Sequence, residues 1–303
     1  MNENTASVTS MVTAFSRVYH SLNDSPKIFD DFLAVKLFSN EEFTFFSEKL
    51  ADSLKFLNPA EAAACKDHEA ALKCVMRYNA PTTLSRSRYT EDLLENCIRN
   101  GISQYIILGA GLDTFAYRRP DFKEKLQVFE VDHPATQDNK KERLKMLEIE
   151  KPSNLHFIPM DFNKMDLSQA LMSSPYDPSK KTFISWLGVT FYLEQDVVLN
   201  TFSCISRLIA PGSCLVFDYM NQNAFRPGNS SEGSLKMREI VKRAGEPMKS
   251  GFDPSTLAVE LEKTGLELKE TIGPDEIEKL YFLGRNDGYH ASENIHFAFV
   301  KVK

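Results

Sequence analysis

The sequence describes an α/β fold: a doubly wound, mostly parallel sheet of seven strands, preceded by a helical N-terminal region. Three observations predict it. From residue 104 onward, apolar strand-like runs alternate with helical patterns, as a sheet covered on both faces requires. The first run, Gln104-Tyr105-Ile106-Ile107-Leu108, stops at two glycines one residue apart, Gly109 and Gly111. Residues 1 to about 100 differ in texture and carry helical spacing only.

In the N-terminal region Ile28, Phe29, Phe32, Leu33 and Leu37 recur at the spacing of an amphipathic helix. Pro59 lies near a boundary, and Pro81-Thr82-Thr83 predicts a second break. Tyr89 to Arg99 then reads as a short helix capped at Gly101. The chain accordingly divides into a helical extension, residues 1–88, and a core, residues 89–303.

In the core the expected strands are 104–108, 127–131, 155–159, 182–187, 213–219, 266–272 and 294–302. Helices are expected over 113–118, 134–150, 166–173, 194–209, 233–244 and 254–264. Asp253-Pro254 supplies an N-cap and a first-turn proline, and Pro211-Gly212 ends the helix before the fifth strand. Only a short piece near 274–281 fits between the last two strands. A terminal strand reached by such a long loop can insert antiparallel to its neighbours.

Composition bounds the function. The 303 residues are 42% apolar and 26% charged, enough for one large α/β domain or two smaller ones. A net charge of −6 argues against a nucleic-acid partner, which calls for clustered Lys and Arg. The run Lys140-Lys141-Glu142-Arg143 falls in a helical pattern and reads as a solvated face. Met1-Asn2-Glu3-Asn4 opens no secretory signal, and no apolar run is long enough for a bilayer. The five cysteines, at 65, 74, 97, 204 and 214, are scattered, which suits reduced thiols in a cytoplasmic protein. His133 has no second ligand at metal spacing, so no metal site is expected.

The glycine pair lets a ligand approach backbone that carries no Cβ. A second apolar run, Val128-Phe129-Glu130-Val131, ends on Asp132, about 20 residues further on, where an acid can accept from a ribose diol. Together they point to an adenosine-bearing cofactor. The plain alternative is a strand–turn–helix whose glycines serve only the turn. A dinucleotide fingerprint asks for a third glycine where this chain has Thr114, which weakens a nicotinamide or flavin reading without excluding it.

The motifs resemble a known family. Ser87-Arg88-Tyr89, then Leu108 to Thr114, then Phe129-Glu130-Val131-Asp132-His133-Pro134 are similar to the leucine carboxyl methyltransferase family, which includes the tetracenomycin-type O-methyltransferases. Pro159-Met160-Asp161-Phe162 and Trp186-Leu187-Gly188-Val189-Thr190-Phe191-Tyr192-Leu193 continue the match in the same order. The resemblance implies a class I methyltransferase that uses S-adenosylmethionine, with a seven-stranded sheet whose final strand is antiparallel. It implies that Arg88 grips the cofactor carboxylate, that Gly109 and Gly111 admit the methionine and ribose, and that Asp132 takes the ribose hydroxyls. Asp161 would accept from the adenine amino group, with Phe162 beside the base. Members acting on a protein phosphatase carry a glutamate where this chain has Leu187, which argues against that substrate.

The expected activity is therefore methyl transfer to an oxygen of a small molecule, possibly a carboxylate, under a lid formed by the N-terminal extension. Tyr192 and Tyr219, just past the fourth and fifth strands, are candidate substrate contacts or half-buried packing. Arg285, Tyr289 and His290 lie in the loop before the last strand, where they line a substrate pocket or are simply solvated. No catalytic residue is singled out. The alternatives are a nicotinamide-dependent dehydrogenase and a non-catalytic cofactor-binding module.

Overall fold

In a computed structural model, residues 7–162 and 164–303 are described. The strands are β1 Gln104–Leu108, β2 Gln127–Asp132, β3 Leu155–Pro159, β4 Thr182–Trp186, β5 Cys214–Met220, β6 Leu266–Ile272 and β7 Ile295–Val302. They form one sheet in the order β3-β2-β1-β4-β5-β7-β6. The pairs β1–β2, β1–β4, β2–β3 and β4–β5 are parallel, and β7 runs antiparallel between β5 and β6. Every expected strand is present, and the expected antiparallel ending is too.

Period-2 alternation divides the buried side chains between two layers. Tyr105, Ile107, Val128 and Phe183 face one way and join the core built on the N-terminal helices. Ile106, Leu108, Phe129 and Ile184 face the other way, into a second core with Leu171, Val198 and Phe202. The helices that follow β1 include α5 Phe115–Arg118, α6 Pro134–Met146, α7 Leu167–Met172, α8 Gln195–Leu208, α9 Glu232–Arg243 and α10 Leu257–Lys263. Helix α10 begins three residues beyond Pro254, because the Asp253 carboxylate accepts from Ser255 N–H at 2.9 Å and holds a turn there instead.

The N-terminal region is α1 Val8–Asn23, α2 Asn40–Leu57, α3 Pro59–Ala64 and α4 His68–Arg99. Two expectations need correction. Pro81 does not break the chain. It sits inside the 32-residue α4, so the division drawn at residues 88 and 89 falls within a helix. The loss of one backbone hydrogen bond at proline is outweighed by a buried stripe of Leu72, Val75, Met76, Ala80 and Leu84, which packs on α1 and α2. Residues 28–33 are not helical, and only Ala34–Leu37 forms a 3-10 turn. Side chains take the amides a helix would have used: His20 Nε2 accepts from Ile28 N–H at 2.8 Å, and Asp31 Oδ1 from Ala34 N–H at 3.2 Å. Among the described residues no helix is long and apolar enough to cross a membrane.

Asp31, 1% exposed, joins this region to the sheet. Its Oδ2 accepts from Arg17 Nε at 2.8 Å, and its Oδ1 accepts from the Thr114 hydroxyl at 2.6 Å. Arg118 Nε stands 3.7 Å away and pairs with the buried Glu91. Arg17 also donates to the carbonyl of Leu112 at 2.7 Å. Removing the carboxylate leaves Arg17 and Arg118 short of a partner in a buried setting. Asp31→Ala is expected to cost about 3–5 kcal/mol, read as a lower urea-unfolding midpoint, with Asp31→Asn falling between it and the wild type. An unchanged midpoint would remove Asp31 from this joint.

Candidate functional site

At the carboxyl ends of β1, β2 and β4 the chain encloses a cavity of about 430 Å³. This is where an open α/β sheet places its ligand, on either side of the point where strand order reverses. Each wall comes from a different element.

The floor is the turn after β1. Gly109 has φ +71°, and a Cβ there would stand 2.4 Å from Val189 Cγ2. A Cβ on Gly111 would meet Ser10 Cβ of α1 at 3.1 Å. The glycines thus let other parts of the chain approach the turn, as well as leaving backbone exposed in the cavity. Asp132 ends β2 beside this turn. Its Oδ1 accepts from His133 N–H at 2.6 Å, and its Oδ2 accepts from Gly111 N–H. Burial pushes its carboxyl pKa up, and these two amides pull it back. Each carboxylate oxygen keeps acceptor capacity for a ligand hydroxyl.

Past β3, Asp161 and Phe162 line the same cavity. Asp161 Oδ2 is 3.9 Å from His133 Nε2 and 3.8 Å from Lys164 Nζ. The Phe162 ring stacks on Trp186 at 5.7 Å. On the opposite wall α4 contributes Arg86, whose Nη1 donates to Asp218 Oδ2 at 2.7 Å. The roof is α1, which turns Ser10, Thr13 and Arg17 into the cavity while Met11, Ala14, Phe15 and Val18 are buried on its other side. Thr9 closes the rim by donating from both its hydroxyl and its amide to Glu246 Oε2. Tyr192 and Lys249 complete that end. Burial raises the Tyr192 phenol well above its ordinary pKa, so it stays neutral at neutral pH.

Of the residues expected from sequence, Gly109, Gly111, Asp132, Asp161, Phe162 and Tyr192 line this one cavity, and five others do not. Arg88 ion-pairs with Asp92 one turn along α4. Residues two apart on a helix point to nearly opposite sides, so it is Arg86 that faces inward. Tyr219 is fully buried in the sheet, bonded to Thr271 at 2.9 Å and stacked on His296. Arg285 pairs with Asp287 and donates to the carbonyl of Pro26. Tyr289 is buried and donates to Asp24 Oδ2 at 2.8 Å; His20 Nδ1 lies 2.6 Å from the same oxygen. His290 pairs with Glu278, its side chain 74% exposed. Sequence reasoning missed Arg86, the hydroxyls of α1, Gly188 and Glu246. The Arg86-Ser87-Arg88 stretch held a signal, but reading Pro81 as a break hid the helix that decides between the two arginines.

Residues 10–206 match the leucine carboxyl methyltransferase family. The chain belongs to that family. A putative S-adenosyl-L-methionine-dependent methyltransferase of Bacillus subtilis, YktD, is 40% identical over 299 residues, covering 98% of each chain. A putative S-adenosyl-L-methionine-dependent methyltransferase of Mycobacterium avium is 29% identical over 231 residues, 76% of this chain and 70% of its own. In fold, a DUF574 family protein of Streptomyces avermitilis superposes with a TM-score of 0.58 at 12% identity, covering 89% and 95% of the two chains.

The leucine carboxyl methyltransferase assignment makes S-adenosylmethionine the cofactor and sets the dehydrogenase reading aside. The donor set fits that molecule: an acid at the end of β2, a second acid and an aromatic ring after β3, and a guanidinium on the far wall of one cavity. Thr114, where a dinucleotide fold wants glycine, is committed to Asp31. Gly109→Ala combines a left-handed backbone with the Val189 overlap and is expected to lower stability by about 1–3 kcal/mol. Adding Val189→Ala should recover the part due to overlap and leave the backbone part, as thermal unfolding of both variants will read. No recovery would mean that backbone strain alone requires the glycine.

Proposed function

We propose that this methyltransferase transfers its methyl group to an oxygen of a small molecule, and that the oxygen belongs to a carboxylate, giving a methyl ester. When bound, S-adenosylmethionine supplies a methyl group on a positively charged sulfur. In this reading Asp132 accepts from the ribose hydroxyls and Asp161 from the adenine amino group, with Phe162 beside the base. The turn at Gly109 and Gly111 runs along the ribose and methionine. Arg86 takes the part expected of Arg88 and meets the methionine carboxylate, a planar group that a guanidinium fork suits. The acceptor then lies between Arg86, Tyr192 and the hydroxyl face of α1. The work of these residues is to hold the acceptor oxygen in line with the methyl group and to exclude water. No nucleic-acid or membrane partner enters this reading.

The observation that carries the carboxylate is the position of the imidazoles. Among the described residues lining the cavity, the histidine is His133, which stands beside Asp161 at the adenosine end, and His290 is out on the surface. A carboxylate is already ionised at neutral pH and needs no base, whereas a phenol with a pKa of about 10 usually does. Glu246 favours a second reading, hydroxyl methylation with its carboxylate as the base, because it reaches the same end of the cavity.

Incubating the enzyme with cell extract and tritiated methyl donor separates the two. A methyl ester releases volatile label in mild alkali, and a methyl ether does not. Release is the expected result. Label that stays non-volatile, with a rate abolished by Glu246→Gln, would establish the hydroxyl reading.

We further propose that α1 is a lid over the bound cofactor. Residues 1–6 of the expected lid lie outside the described residues; the remainder roofs the cavity through Ser10, Thr13 and Arg17. Hydrogen exchange over residues 8–23 should slow when S-adenosylhomocysteine is added. Equal exchange with and without ligand would count against it.

A further inference from the structure

Asp218 is a fully buried carboxylate in the middle of β5, flanked in sequence by Phe217 and Tyr219. A carboxylate without partners in such a place is very costly. Here its two oxygens are divided between two elements. Oδ2 accepts from Arg86 Nη1 of α4 at 2.7 Å, and Oδ1 accepts from Gly188 N–H, just past β4, at 2.6 Å. The Asp218 carbonyl also accepts from the Thr190 hydroxyl at 2.6 Å. One residue therefore fixes the guanidinium and the loop beneath it.

Gly188 completes the arrangement. Its φ is +69°, and a Cβ there would lie 2.5 Å from Arg86 Nη2, 2.7 Å from Nη1 and 2.9 Å from Cζ. The guanidinium occupies the space where any other residue would put its Cβ. With Nη1 committed to Asp218, the group still has donors to spare, and Arg86 lines the cavity. A long, flexible side chain is thus immobilised when the protein folds, not when a ligand arrives.

We propose that Asp218 is a positioning residue: together with Gly188 it holds Arg86 so that the free edge of the guanidinium meets the carboxylate at the amino-acid end of S-adenosylmethionine. This rests on the reading of Arg86 given above. Asp218 touches neither cofactor nor acceptor, and acts through Arg86 alone.

Two ligands test it by calorimetry. S-adenosylhomocysteine carries the carboxylate; 5′-methylthioadenosine shares the adenosine and the sulfur but lacks it. Asp218→Asn is expected to weaken S-adenosylhomocysteine on the order of 10-fold and to leave methylthioadenosine within about twofold. Gly188→Ala, which crowds the guanidinium with Asp218 intact, should show the same selectivity. The double variant Arg86→Gln/Asp218→Asn leaves no unpaired arginine, so it serves even where the single Asp218 variant fails to fold. It should bind S-adenosylhomocysteine no more weakly than Arg86→Gln does. A double variant clearly weaker than Arg86→Gln, or an Asp218→Asn variant that loses both ligands equally or neither, overturns the positioning role and leaves the functional reading standing. Wild-type protein that binds neither ligand overturns the functional reading, and this inference with it.

Discussion

The carboxylate of Asp31 accepts from three places at once: Arg17 on α1, the Thr114 hydroxyl behind the glycine turn, and the amide of Ala34 in its own segment. Much else depends on that convergence. Buried and charged, Asp31 is tolerable only if its partners arrive together, so the N-terminal region has one place to dock. Docking there lays Ser10 against Gly111 and sends Arg17 to the carbonyl of Leu112. The roof of the cavity and its floor are therefore set by the same contact. The choice of threonine where dinucleotide folds use glycine has the same origin, because a glycine could not reach Asp31.

Charge is distributed unevenly around the cavity that results. Asp132 and Asp161 stand at the ends of β2 and β3, and Arg86 faces them from α4. A cofactor with neutral hydroxyls and an amino group at one end and a carboxylate at the other matches this order in one direction only. In the proposed binding mode this order of charges favours one direction of the cofactor over the other. On the reading proposed above, the acceptor side is bounded by side chains from late in the chain, Glu246 and Lys249, together with the hydroxyls of α1. Specificity within the leucine carboxyl methyltransferase family is expected to vary at such positions, since the sheet below serves the shared cofactor.

The core was legible because its signal is redundant. A five-residue apolar run such as Gln104–Leu108, closed by glycine and followed by a polar turn, admits few readings, and seven strands in register with the helices between them reinforce one another. The N-terminal region lacked that redundancy. Pro81 reads locally as a break, and only tertiary packing of the surrounding stripe keeps α4 continuous. Residues 28–37 carry helical spacing, but His20, eight residues back, claims the amide of Ile28, and Asp31 turns back on its own segment to cap Ala34. For the site, direction was the missing information. Adjacent residues in β5 face opposite sides, so Asp218 turns to Arg86 while Tyr219 turns into the sheet's other core, and the sequence does not say which. Tyr289 and His290 illustrate the same limit in a loop, one buried against Asp24 and the other in solvent.

The attachments of α1 are unequal along its length. Near its C-terminal end the helix is tied down by the Arg17–Asp31 pair and by His20, whose two ring nitrogens meet Asp24 and Ile28. Among the described residues its first turn is held by polar contacts at the rim, Thr9 with Glu246 and Tyr192 and Ser7 N–H on Thr136 at 3.4 Å, before the buried Met11 starts the apolar face. A rigid rod fastened at one end is a lever. With a rise of about 1.5 Å per residue, the arm from Arg17 back to Val8 is about 14 Å, so a tilt of about 20° would lift its tip by about 5 Å, at the cost of loosening the buried Met11 and Ala14 on the arm. If α1 is the lid proposed above, a small angular change at its joint would be geared up into an aperture at the cavity mouth, opening from the Glu246 side inward.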